Sequence, residues 1–330
     1  MRSAFPPFPK TCPIAQAVSW HQSVKEADAL KRSHTNRPWE AYVFLGPWLI
    51  GLFCFTIIPM IMSLYFSFTS YDMATAPRWI GLGNYIDMAH DPRLIKSLQV
   101  TFTYVGCSIP LQLAFALLLA TVLKKNRRGV RLYRAIFYLP SLFGGSVAVA
   151  LLWRQIFNKT GIINRLLAIF GVVGKNWIAT PSTVLYTLVA LAIWQFGSSM
   201  VVFLGGLKQI PVDYYEAAEI DGANKIQIFF KITLPLLTPM VFFNLVMTII
   251  SAFQAFTPSY IISQGTGGPM DSTMFYTLYL YLKGFRQFAM GYASAMAWVL
   301  LVIIAAVTAL MFFIANKWVY YDDVEKGGAR

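Results

Sequence analysis

Six stretches of the chain contain no Asp, Glu, Lys or Arg: 41–71, 97–123, 135–153, 176–207, 232–270 and 287–316, together more than half of the 330 residues. A bilayer core of about 30 Å takes roughly 20 apolar residues as helix, so each stretch can cross once and none needs to cross twice. Charged residues make up only 12% of the chain and hydrophobic ones 57%, against about 25% and about 45–50% in an ordinary water-soluble domain. A soluble globular fold is excluded. The expectation is an all-α membrane protein with six spans, at about 42–66, 98–123, 135–157, 184–206, 236–262 and 290–316.

The net charge of +13 could suggest a nucleic-acid partner, but its placement argues for orientation instead. Segments 1–40, 124–134, 207–235 and 317–330 carry 6, 6, 3 and 3 basic residues, whereas the alternate loops carry 3, 3 and 2. The positive-inside rule then puts both termini in the cytoplasm, and an even number of spans agrees. The block Lys124, Lys125, Arg127, Arg128, Arg131 and Arg134 reads as an orientation signal near anionic headgroups. Three divisions follow: a cytoplasmic N-terminal extension, 1–40, a six-span domain, 41–317, and a cytoplasmic tail, 318–330. Forty mostly polar residues precede the first apolar run, so that run is expected to be a retained anchor rather than a cleaved signal. Cys12, Cys54 and Cys107 form neither a CxxC nor a pairable framework, and no metal site is expected.

Along the chain, Gly81-Leu-Gly-Asn-Tyr85 and Asp91-Pro92-Arg93 suggest a turn followed by a short amphipathic helix toward Leu98. Pro47, Pro59, Pro110 and Pro140 lie within spans, which is tolerable when neighbours satisfy the freed carbonyls. Gly144-Gly145 permits close helix approach or a bend. Gln195, Ser198, Ser199, Asn244, Thr248, Ser251 and Gln254 are polar groups inside spans and must face protein or water.

The loop from Ile210 to Pro235 is the most informative stretch. Pro211 suits a first helical turn, Asp213 and Glu216 complement the macrodipole there, and Gly222 stops the helix. A helix over 212–220 is expected, then a second from about Asn224. Ala217 and Ala218 leave a slim surface suited to a partner's groove. On pattern alone, a simple surface helix-turn-helix joining two spans explains the loop equally well.

The residues Glu216-Ala217-Ala218, Asp221-Gly222-Ala223, Phe229, Ile232 and Leu234-Pro235 resemble the EAA loop of ABC importer permease subunits. The likeness covers about residues 40–320 and lies with the carbohydrate-type branch of maltose, glycerol phosphate and oligosaccharide permeases. Supporting stretches are Gly81 to Tyr85, Asp91-Pro92, Gly267-Gly268-Pro269, Ser272-Thr273 and Gly291 to Ala295. Ile226 stands where that family often has Trp. The resemblance implies a six-transmembrane-helix ABC importer permease core with a cytoplasmic coupling helix, in a bacterial or archaeal cytoplasmic membrane. It implies a second, homologous permease, two ATPase subunits and an extracytoplasmic solute-binding protein as partners, beside membrane lipid and a sugar or oligosaccharide substrate. Tyr215, Glu216, Ala217, Ala218, Asp221, Gly222, Ala223 and Phe229 would carry the ATPase coupling. ATP and Mg would sit on the partner subunits, with no cofactor and no enzyme activity in this chain. Its sequence fits: Gly171 to Lys175 offers only GxxGK, not a P-loop.

A secondary, ion-coupled transporter is the alternative, but such coupling usually needs ionisable groups at mid-membrane and the six cores have none. An intramembrane hydrolase lacks HExxH and GxSxG, and His21, His34 and His90 lie outside the spans. For a sugar pathway, aromatic faces should combine with amides and hydroxyls. Trp194, Gln195 and Ser198, at helical i, i+1, i+4 spacing, supply one such cluster, and Thr248, Ser251 and Gln254 a second. Plain packing by Trp194 and helix-to-helix bonding by the hydroxyls are the competing explanations.

Overall fold

The structure, a computed structural model, describes residues 38–125 and 128–319. The expected N-terminal extension before residue 38, Arg127 and the tail beyond residue 319 lie outside the described residues. The described residues up to Ile61 belong to one compact unit and those from Met62 to a second. Helix α1 (Pro38–Leu52) runs through a wide π turn, Phe53–Ile57, into α2 (Ile58–Ser67). The wide turn lies directly before Pro59, which has no N–H to donate and whose ring would crowd the carbonyl four residues back. The Ile58 N–H reaches back instead to the Phe53 carbonyl. The same device recurs at Phe229–Thr233, ahead of Pro235, where the Leu234 N–H bonds the Phe229 carbonyl.

In the second unit, β1 (Thr69–Ser70) and β2 (Arg78–Trp79) pair antiparallel, Thr69 opposite Trp79. This two-residue ladder is the only sheet among the described residues. Helix α3 (Gly83–His90) follows. The expected short helix toward Leu98 is not separate, because Asp91 caps one uninterrupted helix, α4 (Pro92–Leu123). The Asp91 carboxylate accepts from the Arg93 and Leu94 N–H groups at 3.0 and 3.2 Å, and Pro92 at the first position has no donor to lose.

The third expected span is two helices, α5 (Val130–Leu142) and α6 (Val147–Ile156), bent by 99° at the glycine pair. Ser146 starts the second by accepting from the Val149 N–H. Helix α7 (Ile162–Ile169) lies between the third and fourth spans. The fourth span is also broken, into α8 (Pro181–Trp194) and α9 (Gly197–Gln209), bent by 41°; it runs past Gly205-Gly206 rather than ending there. Helices α10 (Asp213–Ile220) and α11 (Lys225–Ile228) form the loop. The fifth span, Lys225–Phe253, joins α11, the π turn and α12 (Leu234–Phe253). It stops before the expected residue 262, which falls in a separate helix, α13 (Thr257–Ser263). After α14 (Tyr276–Tyr281), α15 (Met290–Ala315) is the sixth span. Among the described residues four helices are long and apolar enough to cross a membrane, and six spans result when each bent pair counts as one.

Helix α4 is the axis of the second unit, packed against α8, α9 and α12, while α12 also meets α15 and α13 packs on α6. The most enclosed side chains, among them Leu188, Met200, Phe203, Leu237, Phe253 and Met296, come from those helices, joined by Tyr276 of α14, which also packs on α4. Small residues permit this packing: a Cβ on Gly197 would lie 2.7 Å from the Phe137 carbonyl oxygen and 2.9 Å from both Ser141 Oγ and Tyr138 Cα.

Candidate functional site

The loop between the fourth and fifth spans folds as a hairpin of helices held by its own capping chemistry. Asp213 and Glu216 occupy the first turn of α10. Pro211 lies one residue before the Val212 cap rather than inside the helix. At the other end Gly222 takes φ +77°. Its N–H donates to the Glu219 carbonyl at 3.1 Å and the Ala223 N–H to the Ala218 carbonyl at 2.9 Å, a Schellman cap that needs the left-handed residue glycine supplies. Asn224 and Gln227 then exchange side-chain-to-backbone bonds, both 2.9 Å, as a capping box for α11.

The paired alanines do not share one surface: Ala218 is buried, whereas Ala217 and Glu216 are exposed. Besides Glu216 the loop exposes Val212 and Ile220, one turn before and after it, and further on Ile226 and Phe230, with Asp213, Glu219 and Asp221 exposed as well. Tyr215 ties the hairpin to the bundle. Its ring lies 4.1 Å from Lys124 Nζ at the end of α4, and its hydroxyl accepts from Thr233 at 3.3 Å. Asp221 is exposed, and Phe229 is half-buried, edge-on to Phe230.

Within the bundle, a cavity of about 640 Å³ brings together Gln112, Gln195, Ser198, Thr248, Ser251 and Gln254. It therefore collects five of the six residues expected along a pathway and adds Gln112 of α4. Gln195 does more than line it. Standing at the break of the fourth span, it donates from Nε2 to the Gly144 carbonyl, at the break of the third, at 2.9 Å. The two interrupted spans are bonded to each other at their interruptions, where backbone groups lacking helical partners face a cavity rather than lipid. Ser251 Oγ donates to the Met247 carbonyl at 2.9 Å.

Trp194 is placed differently. Because α8 ends at Trp194 and α9 begins at Gly197, the i, i+1, i+4 relation with Gln195 and Ser198 does not hold. Its ring lies 5.7 Å from that of Trp153, whose Nε1 donates to the Thr187 carbonyl at 2.8 Å, and it does not line the cavity.

On the side opposite α10, motif stretches far apart in sequence converge. Asn84 Nδ2 donates to the Ser67 and Thr69 carbonyls, both at 2.9 Å. Tyr279 and Tyr292 donate to Asp91 Oδ2 at 2.6 and 2.8 Å, and Lys283 Nζ is 3.6 Å from the same oxygen. Partial burial alone would raise the Asp91 carboxyl. The tyrosine hydroxyls and the Leu94 and Arg93 N–H groups outweigh it and hold the group below its usual 3.8. Arg93 forks onto Asp271, in the loop carrying Gly267-Gly268-Pro269, and Thr273 Oγ1 donates to the Gly267 carbonyl at 2.9 Å. The sequence marked the glycines and Asp91 here, but not Asp271, Tyr279 or Lys283.

Residues 80–319 match the family described as "Binding-protein-dependent transport system inner membrane component". The chain is 54% identical over 304 residues to the "Probable ABC transporter permease protein YesP" of Bacillus subtilis (strain 168), covering 91% of this chain and 98% of the relative. It is 29% identical to the lactose transport system permease protein LacF of Rhizobium radiobacter, covering 88% and 97%. In fold it is similar to a chain of the bacterial alginate ABC transporter solved in complex with an alginate pentasaccharide-bound periplasmic protein. That likeness has a TM-score of 0.70 at 21% identity over 85% of this chain and 95% of that one. These matches set aside the ion-coupled alternative: the chain belongs to the binding-protein-dependent transport system inner membrane component family and is a multi-pass membrane permease component of an ABC transporter.

Proposed function

We propose that this chain forms, with a homologous second permease, the path by which a sugar or oligosaccharide enters the cell, delivered by an extracytoplasmic solute-binding protein and driven by two ATPase subunits. The observation that carries this reading is a single rod, Lys225–Phe253, 29 residues long, or roughly 43 Å at 1.5 Å per residue. At one end lies the α10–α11 hairpin with its exposed Glu216; along and just beyond the other lie Thr248, Ser251 and Gln254 of the cavity. A push on the hairpin by partner ATPases, which hold the ATP and Mg, would be felt at the cavity as a rigid-body shift of the rocking kind. Amides and hydroxyls are the groups that exchange hydrogen bonds with sugar hydroxyls, and the names of LacF and of the alginate transporter support the same substrate class. In this reading residues 1–40, 124–134, 207–235 and 317–330 face the cytoplasm.

The test is reconstitution with the two ATPase subunits, the second permease and the binding protein, followed by uptake across a panel of sugars. Expected is uptake that needs every component and stops with vanadate. Uptake by this chain alone that follows a proton or sodium gradient would overturn the proposal.

A further inference from the structure

The segment between α6 and α8, residues 157–180, carries an apolar face that nothing among the described residues covers. Along α7, Ile162, Leu166 and Ile169 share one side, and Phe170, Val172 and Val173 continue it. Their exposures run from 50% for Leu166 to 92% for Val173. The face is held outward by Asn164 on the opposite side of the helix, the one residue of α7 that is buried. Asn164, buried, donates from Nδ2 to the Asn158, Lys159 and Lys175 carbonyls and accepts from Trp177 Nε1 at 2.7 Å. That hub closes the segment on itself and fixes which way α7 points.

Two further features name the occupant. The segment holds Lys159, Arg165 and Lys175 and no Asp or Glu. Both its ends continue into halves of the two bent spans, α6 before it and α8 after it, and with the third and fourth spans each counted as one crossing it stands at headgroup level, on the membrane face opposite α10. From the fixed orientation, the apolar side chains, the basic rim and this level, we infer that α7 and the turn to Val173 lie in the bilayer interface. The aliphatic and Phe170 side chains enter the acyl boundary and the three cations meet lipid phosphates, as in interfacial amphipathic helices. The element holds the bent third span to the membrane surface, so that α6 and the α13 packed on it keep a fixed level while other spans rock.

The test uses the assembled transporter in nanodiscs, with Leu166→Cys, Ile169→Cys or Val173→Cys spin-labelled after Cys12, Cys54 and Cys107 are replaced by Ser. These positions are exposed, so the labels do not burden folding, and co-purification with the ATPase subunits verifies assembly. Expected is relaxation by oxygen in preference to a water-soluble nickel chelate at all three sites, at a depth of about 5–10 Å below the phosphates. Preference for the nickel chelate would mean a water-facing patch and overturn the inference. Labels shielded from both agents would overturn it too, showing that a protein partner covers this face.

Discussion

The guanidinium of Arg93 grips the carboxylate of Asp271 across 178 residues of sequence, Nε to Oδ2 and a terminal nitrogen to Oδ1, each at 2.9 Å. The fork joins the first turn of α4 to a loop whose Met270 and Asp271 both sit at positive φ, 53° and 54°, a region costly for residues with a Cβ. The pair is partly exposed, with 45% and 25% of the side chains accessible, so its bidentate geometry is offset by screening. Arg93→Ala and Asp271→Ala in a double-mutant cycle should give a coupling of about 1 kcal/mol, shrinking in high salt. A coupling of zero, read by thermal unfolding, would show that backbone packing alone holds the loop.

Asp91 makes stability depend on pH. Its folded-state pKa lies below 3.8, so the carboxylate stabilises the fold at all pH values above that ordinary value. The contribution fades as pH falls through the lowered folded value. Asp91→Asn keeps a capping residue but weakens two charge-assisted bonds from Tyr279 and Tyr292, at a cost of about 1.5–3 kcal/mol near neutrality. Melting temperatures between pH 7 and 3 should therefore fall more steeply for the wild type than for Asp91→Asn. Parallel curves would refute the assignment.

How much of this was legible depends on whether a feature is local. Gly222 and Asn224 announce a helix stop and a helix start by their own chemistry, and both appear where expected. Pro59 was marked as a proline within a span, but the widening into π turns before it and before Pro235 belongs to backbone hydrogen bonding that no residue type specifies. The 99° bend was half legible, since Gly144-Gly145 permits a bend without requiring one. Gln195 was read as the second member of a helical cluster because apolar periodicity runs straight through it, yet the helix ends one residue earlier. Tyr279, Lys283 and Asp271 were invisible as a group, because only the fold brings them to Asp91 and Arg93. The ladder Thr69–Ser70 with Arg78–Trp79 is too short for alternation to register.

Gly197 sets the distance between the fourth and third spans. Gly197→Val places carbon within 3 Å of the Phe137 carbonyl and Tyr138 Cα, and backbone cannot yield cheaply. Overpacking of this sort costs about 1–3 kcal/mol, so the assembled complex should melt earlier. Gly205→Val, which meets nothing within 4 Å, is the control and should melt like the wild type.

At the hairpin, Glu216→Lys reverses an exposed charge set between the exposed Val212 and Ile220, one turn before and after it. The variant should insert and fold normally while losing ATPase association or substrate-stimulated ATP hydrolysis. A lost partner in a buried interface charge pair costs about 2–5 kcal/mol, a reduction of roughly 30-fold or more in affinity. Normal stimulated hydrolysis in Glu216→Lys would sink the coupling role.

Trp194 and its neighbours part company under mutation. The indole rests beside Trp153 outside the cavity, with 38% of the residue accessible, so Trp194→Ala should lower the melting temperature through lost packing, by less than the about 3–5 kcal/mol of a fully buried Trp. Ser198→Ala and Thr248→Val remove hydroxyls from the cavity at little change in volume, so they should leave melting nearly untouched and raise the sugar concentration needed for half-maximal uptake. Gln195→Leu combines both effects, since the amide lines the cavity and also holds the Gly144 carbonyl. It should lose uptake and some stability together. Measuring melting and uptake on all four separates packing from pathway. If Trp194→Ala melts normally but loses uptake, the indole belongs to the pathway after all, and if Ser198→Ala and Thr248→Val both transport normally, the cavity is not the route.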